Sequence, residues 1–436
     1  MKIDGFRSDV TSADALVAAT VTWEDSERST QEIFFRTDAQ FAEDFSCDPR
    51  AFLLACFAPA LRHGERRIVI AAEIDAELYD GLQAAASLLQ LWSGRDARPV
   101  QIEATSVARG PSIPPEERAA SFLSGGVDSL ASLRANRLAY PSDHPRHIKD
   151  CFVGNRFETR LAIGDVEQLA PALCDVAQDT GVTLIPFSTN VKDLDPDRRF
   201  WMLEFHGAVL AAVAHTFSHR VTRATIASSL YRFPTLIPWG SHPLLDPLFG
   251  STDLRIHHDG IRLSRLAKVR LIADWDVGLQ SLRVCTGVKP GRANCGRCAK
   301  CVRTMTELLA IGALERCRAF EANDVSVEML DRTSIKTEYR ESLDEVIQPL
   351  EDLGRVDLVD AIRRKAAEYG RYLAWEEDRG WRGAVNRVGR RIPNTLESLR
   401  SLDQARDVRR LPRGLRRRLS SISGGRDFAH GRGGLA

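Results

Sequence analysis

Six consecutive residues, Ser124-Gly125-Gly126-Val127-Asp128-Ser129, put two glycines, two hydroxyls and a carboxylate into one turn. Glycine lets a backbone come close to a phosphate, and the first amides of a helix that starts there point outward unpaired. Ser124 and Ser129 add hydroxyl donors, and Asp128 could hold a magnesium ion or cap the turn. No lysine completes a GxxxxGKS/T pattern, which excludes the ordinary P-loop. The plainer reading of the same residues is a strand-to-helix turn that needs glycine.

A second group is sulfur-based. Cys285, Cys295, Cys298 and Cys301 fall within seventeen residues as C-x9-C-x2-C-x2-C. Adjacent CxxC steps let thiolates converge on one ion, and Gly291 and Gly296 permit the tight turns. Four sulfurs without a nearby histidine suit closed, tetrahedral structural zinc, with an iron–sulfur cluster as the rival. Cys47, Cys56, Cys151, Cys174 and Cys317 stand apart and read as core thiols.

These groups need a scaffold. Ala119–Ser124 reads as a strand and the residues after it as a helix, with Val127, Leu130, Ala131 and Leu138 on one face. Strand and helix then alternate: strand 150–154, helix 166–180, strand 182–188, helix 201–217, strand 221–228. Such alternation predicts an α/β fold with a doubly wound parallel sheet, whose ligands sit beyond the carboxyl ends of the strands. Gly154, Ser188 and Ser228 fall at those ends beside the glycine turn.

Residues 230–260 are rich in proline, glycine and aromatics and read as a loop on the same edge. Its polar groups include Ser241, His242, Asp246 and Ser251-Thr252-Asp253, which could reach a substrate or simply satisfy the loop's own backbone. A helix over 264–275 carries Lys268, readable as a pyrophosphate contact or as a solvated surface lysine.

Residues 1–115 read as a separate α/β or α+β accessory domain ending in the PSIPP stretch at 111–115. The nucleotide-type domain then spans 116–318, a helical extension 319–378, and a basic tail 379–436. Met329, Leu330, Leu343, Val346, Ile347, Leu350, Leu353, Val359 and Ile362 form an apolar helical stripe in the extension.

The length, 436 residues, predicts two or three domains, and 44% hydrophobic with 27% charged residues is a globular composition. Neither a signal peptide nor a membrane-length apolar run is legible, so the expectation is a cytoplasmic chain with no membrane partner. The net charge of +1 conceals an asymmetry: from Arg379 onward there are fifteen arginines, no lysine and four acids. That tail reads either as an arm for nucleic acid or an acidic protein partner, or as a solvated extension.

Ser-Gly-Gly-Val-Asp-Ser resembles the PP-loop of the ATP pyrophosphatase superfamily. With the cysteine run added, residues 119–318 resemble the 7-cyano-7-deazaguanine synthase family: the SGGVDS string, the Lys268 helix ahead of Cys285, CGRCAKC, and Arg303 behind it. The resemblance implies a HUP-like Rossmannoid fold, ATP and Mg2+ at Ser124–Ser129 with Gly154, Ser188 and Ser228, catalytic roles for Asp128, Ser129 and Lys268, and structural zinc on the four cysteines. It implies that a carboxylate like 7-carboxy-7-deazaguanine is adenylated with loss of pyrophosphate. Ammonia or an amine then displaces AMP, and renewed activation dehydrates the amide to a nitrile.

Where that family has an Arg-Asn pair opening the long helix, this chain has His206-Gly207, and the loop carrying His242 and Asp246 is its own. The substrate end therefore falls to His206, His242 and Asp246, in an elongated relative of the type associated with antiphage defence. A tRNA-modifying PP-loop enzyme and a non-catalytic nucleotide-binding scaffold are the competing readings.

Overall fold

The computed structural model describes residues 1–94, 100–108, 117–154, 171–229, 238–285, 293–333 and 342–377, with backbone alone at 107–108 and 372–377. The expected PSIPP linker, the start of the helix expected at 166, Gly291 and the basic tail lie outside these residues. Met1–Arg371 form one compact unit; of the second, Tyr372–Ala436, the structure describes the helical backbone of 372–377.

The chain opens with an antiparallel meander, β1 (Lys2–Val10), β2 (Asp14–Thr22) and β3 (Gln31–Asp38). Helix α1 (Pro49–His63) starts on the Asp48 side chain with proline in its first turn, and closes at Gly64 in the left-handed region. It leads to β4 (Arg67–Asp75), parallel to β1. Helix α2 (Ala76–Ser93), capped by Asp75, leads to β5 (Gln101–Ala108).

The second half follows the expected alternation. It runs β6 (Ala119–Phe122), α3 (Val127–Ala139), β7 (Ile148–Gly154), α4 (Pro171–Thr180) and β8 (Thr183–Thr189). A π-helical turn at Trp201–Phe205 then runs into α5 (His206–His215), followed by β9 (Arg223–Ala227) and β10 (Arg255–Asp259). Thereafter come α6 (Arg265–Ala273), α7 (Asp276–Gln280), α8 (Ala299–Ala310), α9 (Val327–Asp331), α10 (Ile347–Asp352) and α11 (Val356–Glu377).

The ten strands among the described residues belong to one mostly parallel sheet, ordered β10-β9-β6-β7-β8-β3-β2-β1-β4-β5. Within the parallel run β10-β9-β6-β7-β8, the chain winds from β6 outward to β8 and returns through α5 to β9 on the other side of β6. The winding direction therefore reverses between β6 and β9, the topological switch point at which such sheets form a ligand crevice.

One apolar core, holding α1, α2 and α5, lies on one face; the other holds α3, α4, α6 and the cysteine segment. The C-terminal helices join the second core through Leu330, Leu350, Leu358, Val359 and Ile362.

Three expectations are corrected. Residues 1–115 are not a separate body, because β3 pairs antiparallel with β8 (Arg36 opposite Ser188) and Thr37 Oγ1 donates to Pro186 O at 2.7 Å. The first apolar core continues across that junction, so the N-terminal strands extend the sheet. Leu138 is 63% exposed, since α3 has turned its end away from the core, and Leu353 is likewise exposed in the turn after α10. The last residues of the supposed loop 230–260 form β10, because Leu254, Ile256 and His258 alternate inward along an edge strand.

Candidate functional site

The glycine turn ends β6 at the switch point. Gly125 adopts φ +75°, where an L side chain is strained, and a Cβ there would meet Arg283 Cβ and Leu173 Cδ2 at 3.2 Å. Its carbonyl accepts from Arg283 N at 2.8 Å, which ties the turn to the segment entering the cysteine cluster. Gly126 differs: φ is −74°, and a Cβ would meet only the loop's own Ser124 Oγ.

Gly126 is also the N-cap of α3 and supplies no side-chain cap, so the first turn of that helix keeps unpaired amides. Ser129 Oγ donates to Gly126 O at 3.1 Å and lies 3.2 Å from Ser124 Oγ. The Ser129 hydroxyl thus shapes the turn rather than projecting from it, while Ser124 is exposed and Val127 anchors the core.

Asp128, in the first turn of α3, has a 29%-exposed side chain that faces two cations of α6. Lys268 Nζ donates to Asp128 Oδ1 at 3.0 Å and to the Ser228 carbonyl at the end of β9. Lys268 is only 3% exposed, so it is not a solvated surface lysine. Arg265 Nη1 lies 3.5 Å from Asp128 Oδ2. Burial works against the Asp128 charge, but Lys268, then Arg265 and Arg303, outweigh it and hold the carboxyl below its ordinary value.

Arg265 is itself held by the helix behind the cysteines. Its Nε meets Glu307 Oε2 at 3.2 Å and its Nη2 donates to Thr304 Oγ1 at 3.2 Å, while Arg303 Nε meets the other Glu307 oxygen at 3.0 Å. The Ser228 N–H donates to Asp259 O at 2.7 Å, and Ser132 Oγ of α3 donates to the Asp259 carboxylate, so β9, β10 and α3 are joined at the rim.

On the opposite face, Asp246 is fully buried. Its carboxylate accepts from Ser241 Oγ at 2.7 Å, His242 N at 3.1 Å and His258 Nδ1 at 2.7 Å. His242 Nδ1 accepts from Leu244 N at 3.1 Å, which leaves its proton on Nε2, and neither His242 Nε2 nor His258 Nε2 has a partner. Burial, then the neighbouring His258 charge, carries the His242 imidazole down to about 4. His206 opens α5 with Nδ1 on Trp201 O at 3.0 Å. Gly207 follows because a Cβ would lie 2.3 Å from Gly240 O.

The four cysteines do converge. Their sulfurs all lie within 4.8 Å of one another: Cys298 to Cys301 is 3.5 Å, and Cys298–Cys285 and Cys295–Cys301 are both 3.8 Å. A tetrahedral ion about 2.3 Å from each sulfur would space them about 3.8 Å apart. The set therefore fits a metal such as zinc. Burial opposes ionisation of Cys295, yet the amides of Arg297 and Cys298 and the neighbouring thiols bring it to about 6; burial holds Cys298 and Cys301 up. Cys47, Cys56, Cys151 and Cys317 form no disulfide, and burial pushes the Cys151 thiol up to about 12.

Ser124–Ser129, Ser228 and Lys268 are thus brought to one rim. Gly154 has a packing reason instead, since a Cβ would lie 2.5 Å from the Phe187 ring, and Ser188 is buried opposite Arg36. Residue spacing did not point to Arg265, Glu307, His258 or Asp259. The available signals were the Arg303-x3-Glu307 spacing on one helix face and the inward alternation through Leu254, Ile256 and His258. No protein-family model, curated protein or solved structure matches the chain, so the chemistry of the site rests on its own geometry.

Proposed function

We propose that the chain binds MgATP at the turn between β6 and α3 and transfers AMP to a small carboxylic acid. The observation that carries this reading is a helix N-terminus with no side-chain cap, at a switch point, faced by a buried ammonium and a guanidinium. A turn of purely structural purpose has no need of a lysine buried against it, which costs several kcal/mol unless charge compensates.

In this reading the Val127–Ser129 amides and Lys268 hold the phosphates, and Asp128 with the Ser124 hydroxyl would hold a magnesium ion, which neutralises phosphate charge. The acid oxygen attacks the α-phosphorus and the bond to pyrophosphate breaks. Ammonia or an amine then attacks the acyl carbon, AMP leaves with the C–O electrons, and one proton is lost. A second activation, at the amide oxygen, gives the nitrile once AMP carries that oxygen away and two protons are lost. The His206, His242, Asp246 and His258 cluster is the proposed acid-recognition side, its two unpartnered imidazole nitrogens waiting for a polar ligand. A zinc ion on Cys285, Cys295, Cys298 and Cys301 would be structural, because four thiolates leave no open position.

The reading is tested by product analysis after incubation with ATP, magnesium, ammonia and 7-carboxy-7-deazaguanine. AMP and pyrophosphate are expected, both lost in Asp128→Ala. ADP with inorganic phosphate would overturn it.

A further inference from the structure

We propose that Arg265 is a phosphate-binding cation of the nucleotide site and that Glu307 is its positioning residue, so that the cysteine centre sets nucleotide affinity through helix α8. The inference rests on the nucleotide reading above but is separable from it. Three observations carry it.

First, Glu307 is a fully buried carboxylate whose two oxygens are divided between Arg265 and Arg303. A buried carboxylate needs such partners, and here they fix its position in return. Thr304 Oγ1 adds a second anchor to the same guanidinium. Two of the three donor-bearing nitrogens of Arg265 are therefore held by one face of α8, and the third, Nη1, is the one turned to Asp128.

Second, α8 begins at the cysteines. Cys298 is its N-cap and Cys301 lies in its first turn, with Thr304 three residues further along the same face. The sulfur cluster therefore fixes the start of the rod whose next turns carry Thr304 and Glu307. A rigid helix transmits that placement to Arg265.

Third, cations gather beside the turn. Arg265, Lys268 and Arg303 lie against the carboxylates of Asp128 and Glu307. A divalent ion on Asp128 would draw that carboxylate away from Arg265 and Lys268. A tetra-anionic triphosphate is the complementary ligand. With Nε and Nη2 kept on α8, Nη1 is the nitrogen of Arg265 that meets a phosphate oxygen, a division of roles that a lysine at this position would not reproduce.

The test measures MgATP affinity by calorimetry for the full chain and for Glu307→Gln, Thr304→Val, Arg265→Gln and the Glu307→Gln/Arg265→Gln double variant. Both α8 variants are expected to weaken binding roughly tenfold, within the usual range for coupling between neighbouring groups. Arg265→Gln is expected to weaken it at least as much, and Glu307→Gln to add nothing in the Arg265→Gln background. The cobalt–thiolate absorption of a cobalt-loaded preparation should be unchanged, which separates positioning from damage to the sulfur cluster. Should Glu307→Gln fail to fold, Thr304→Val decides, since it removes one hydrogen bond and keeps the shape. Wild-type binding retained in the α8 variants, or effects that add in the double variant, overturns the positioning role and leaves the nucleotide reading standing. Absence of MgATP binding by the wild-type chain overturns both.

Discussion

Replacing Gly126 by alanine separates a phosphate cradle from an ordinary turn. At φ −74° alanine adopts the native backbone without strain, and its methyl would meet only Ser124 Oγ, at 3.2 Å. Reduced freedom in the unfolded chain favours alanine by about 0.4–1 kcal/mol, whereas alanine is the poorer N-cap by a similar amount. Net stability should therefore change by less than about 1 kcal/mol. Gly125→Ala is the contrast, because φ +75° and contacts to Leu173, Arg283 and Ser281 O add backbone strain of about 1–2 kcal/mol to crowding. In the nucleotide reading, the space open at Gly126 is where a phosphate approaches the amides. A methyl there would cost one or two hydrogen bonds to a charged group, about 1.5–3 kcal/mol each, or at least tenfold in affinity. Denaturant melts together with MgATP calorimetry on both variants provide the readout. Unchanged stability with unchanged nucleotide affinity in Gly126→Ala would refute the cradle.

Other consequences are equally concrete. Lys268→Met keeps the buried stem but removes the donor to the Ser228 carbonyl and to Asp128, so unfolding free energy should fall by about 1–3 kcal/mol in denaturant titration and AMP formation should cease. His242 has its folded pKa near 4, below the ordinary 6.5, so the unfolded chain takes up that proton first. Stability should therefore be lost as pH falls from 6.5 towards 4, by about 3 kcal/mol at 1.36 kcal/mol per unit, and His242→Gln should show that much less loss over the same window. Equal pH slopes in the two proteins would count against a buried neutral imidazole. Cys298→Ser removes the sulfur 3.5 Å from that of Cys301, and metal analysis should show bound zinc lost together with a lower melting temperature.

The alternation that places β6, α3 and β7 was legible because a buried strand followed by a 3.6-residue period survives in the residues themselves. The sulfur cluster was legible for the same reason: its ligands are close in sequence and their spacing reflects geometry. The N-terminal half was harder to place, since joining β3 to β8 depends on a pairing across more than a hundred residues that no local pattern encodes. β10 hid inside a proline-rich run, where five residues of edge strand give a weak signal. The cation cluster shows the same limit: Asp128, Lys268 and Glu307 are far apart in the chain, and only the fold makes them neighbours. Lys268 read equally well as a surface residue until burial was visible.

The decisive measurement is which bond of ATP is broken. Wild-type protein given ATP, magnesium, ammonia and 7-carboxy-7-deazaguanine should release AMP and pyrophosphate in equal amounts, with neither formed by Asp128→Ala. Release of ADP and inorganic phosphate, or equal turnover in the Asp128 variant, would contradict it.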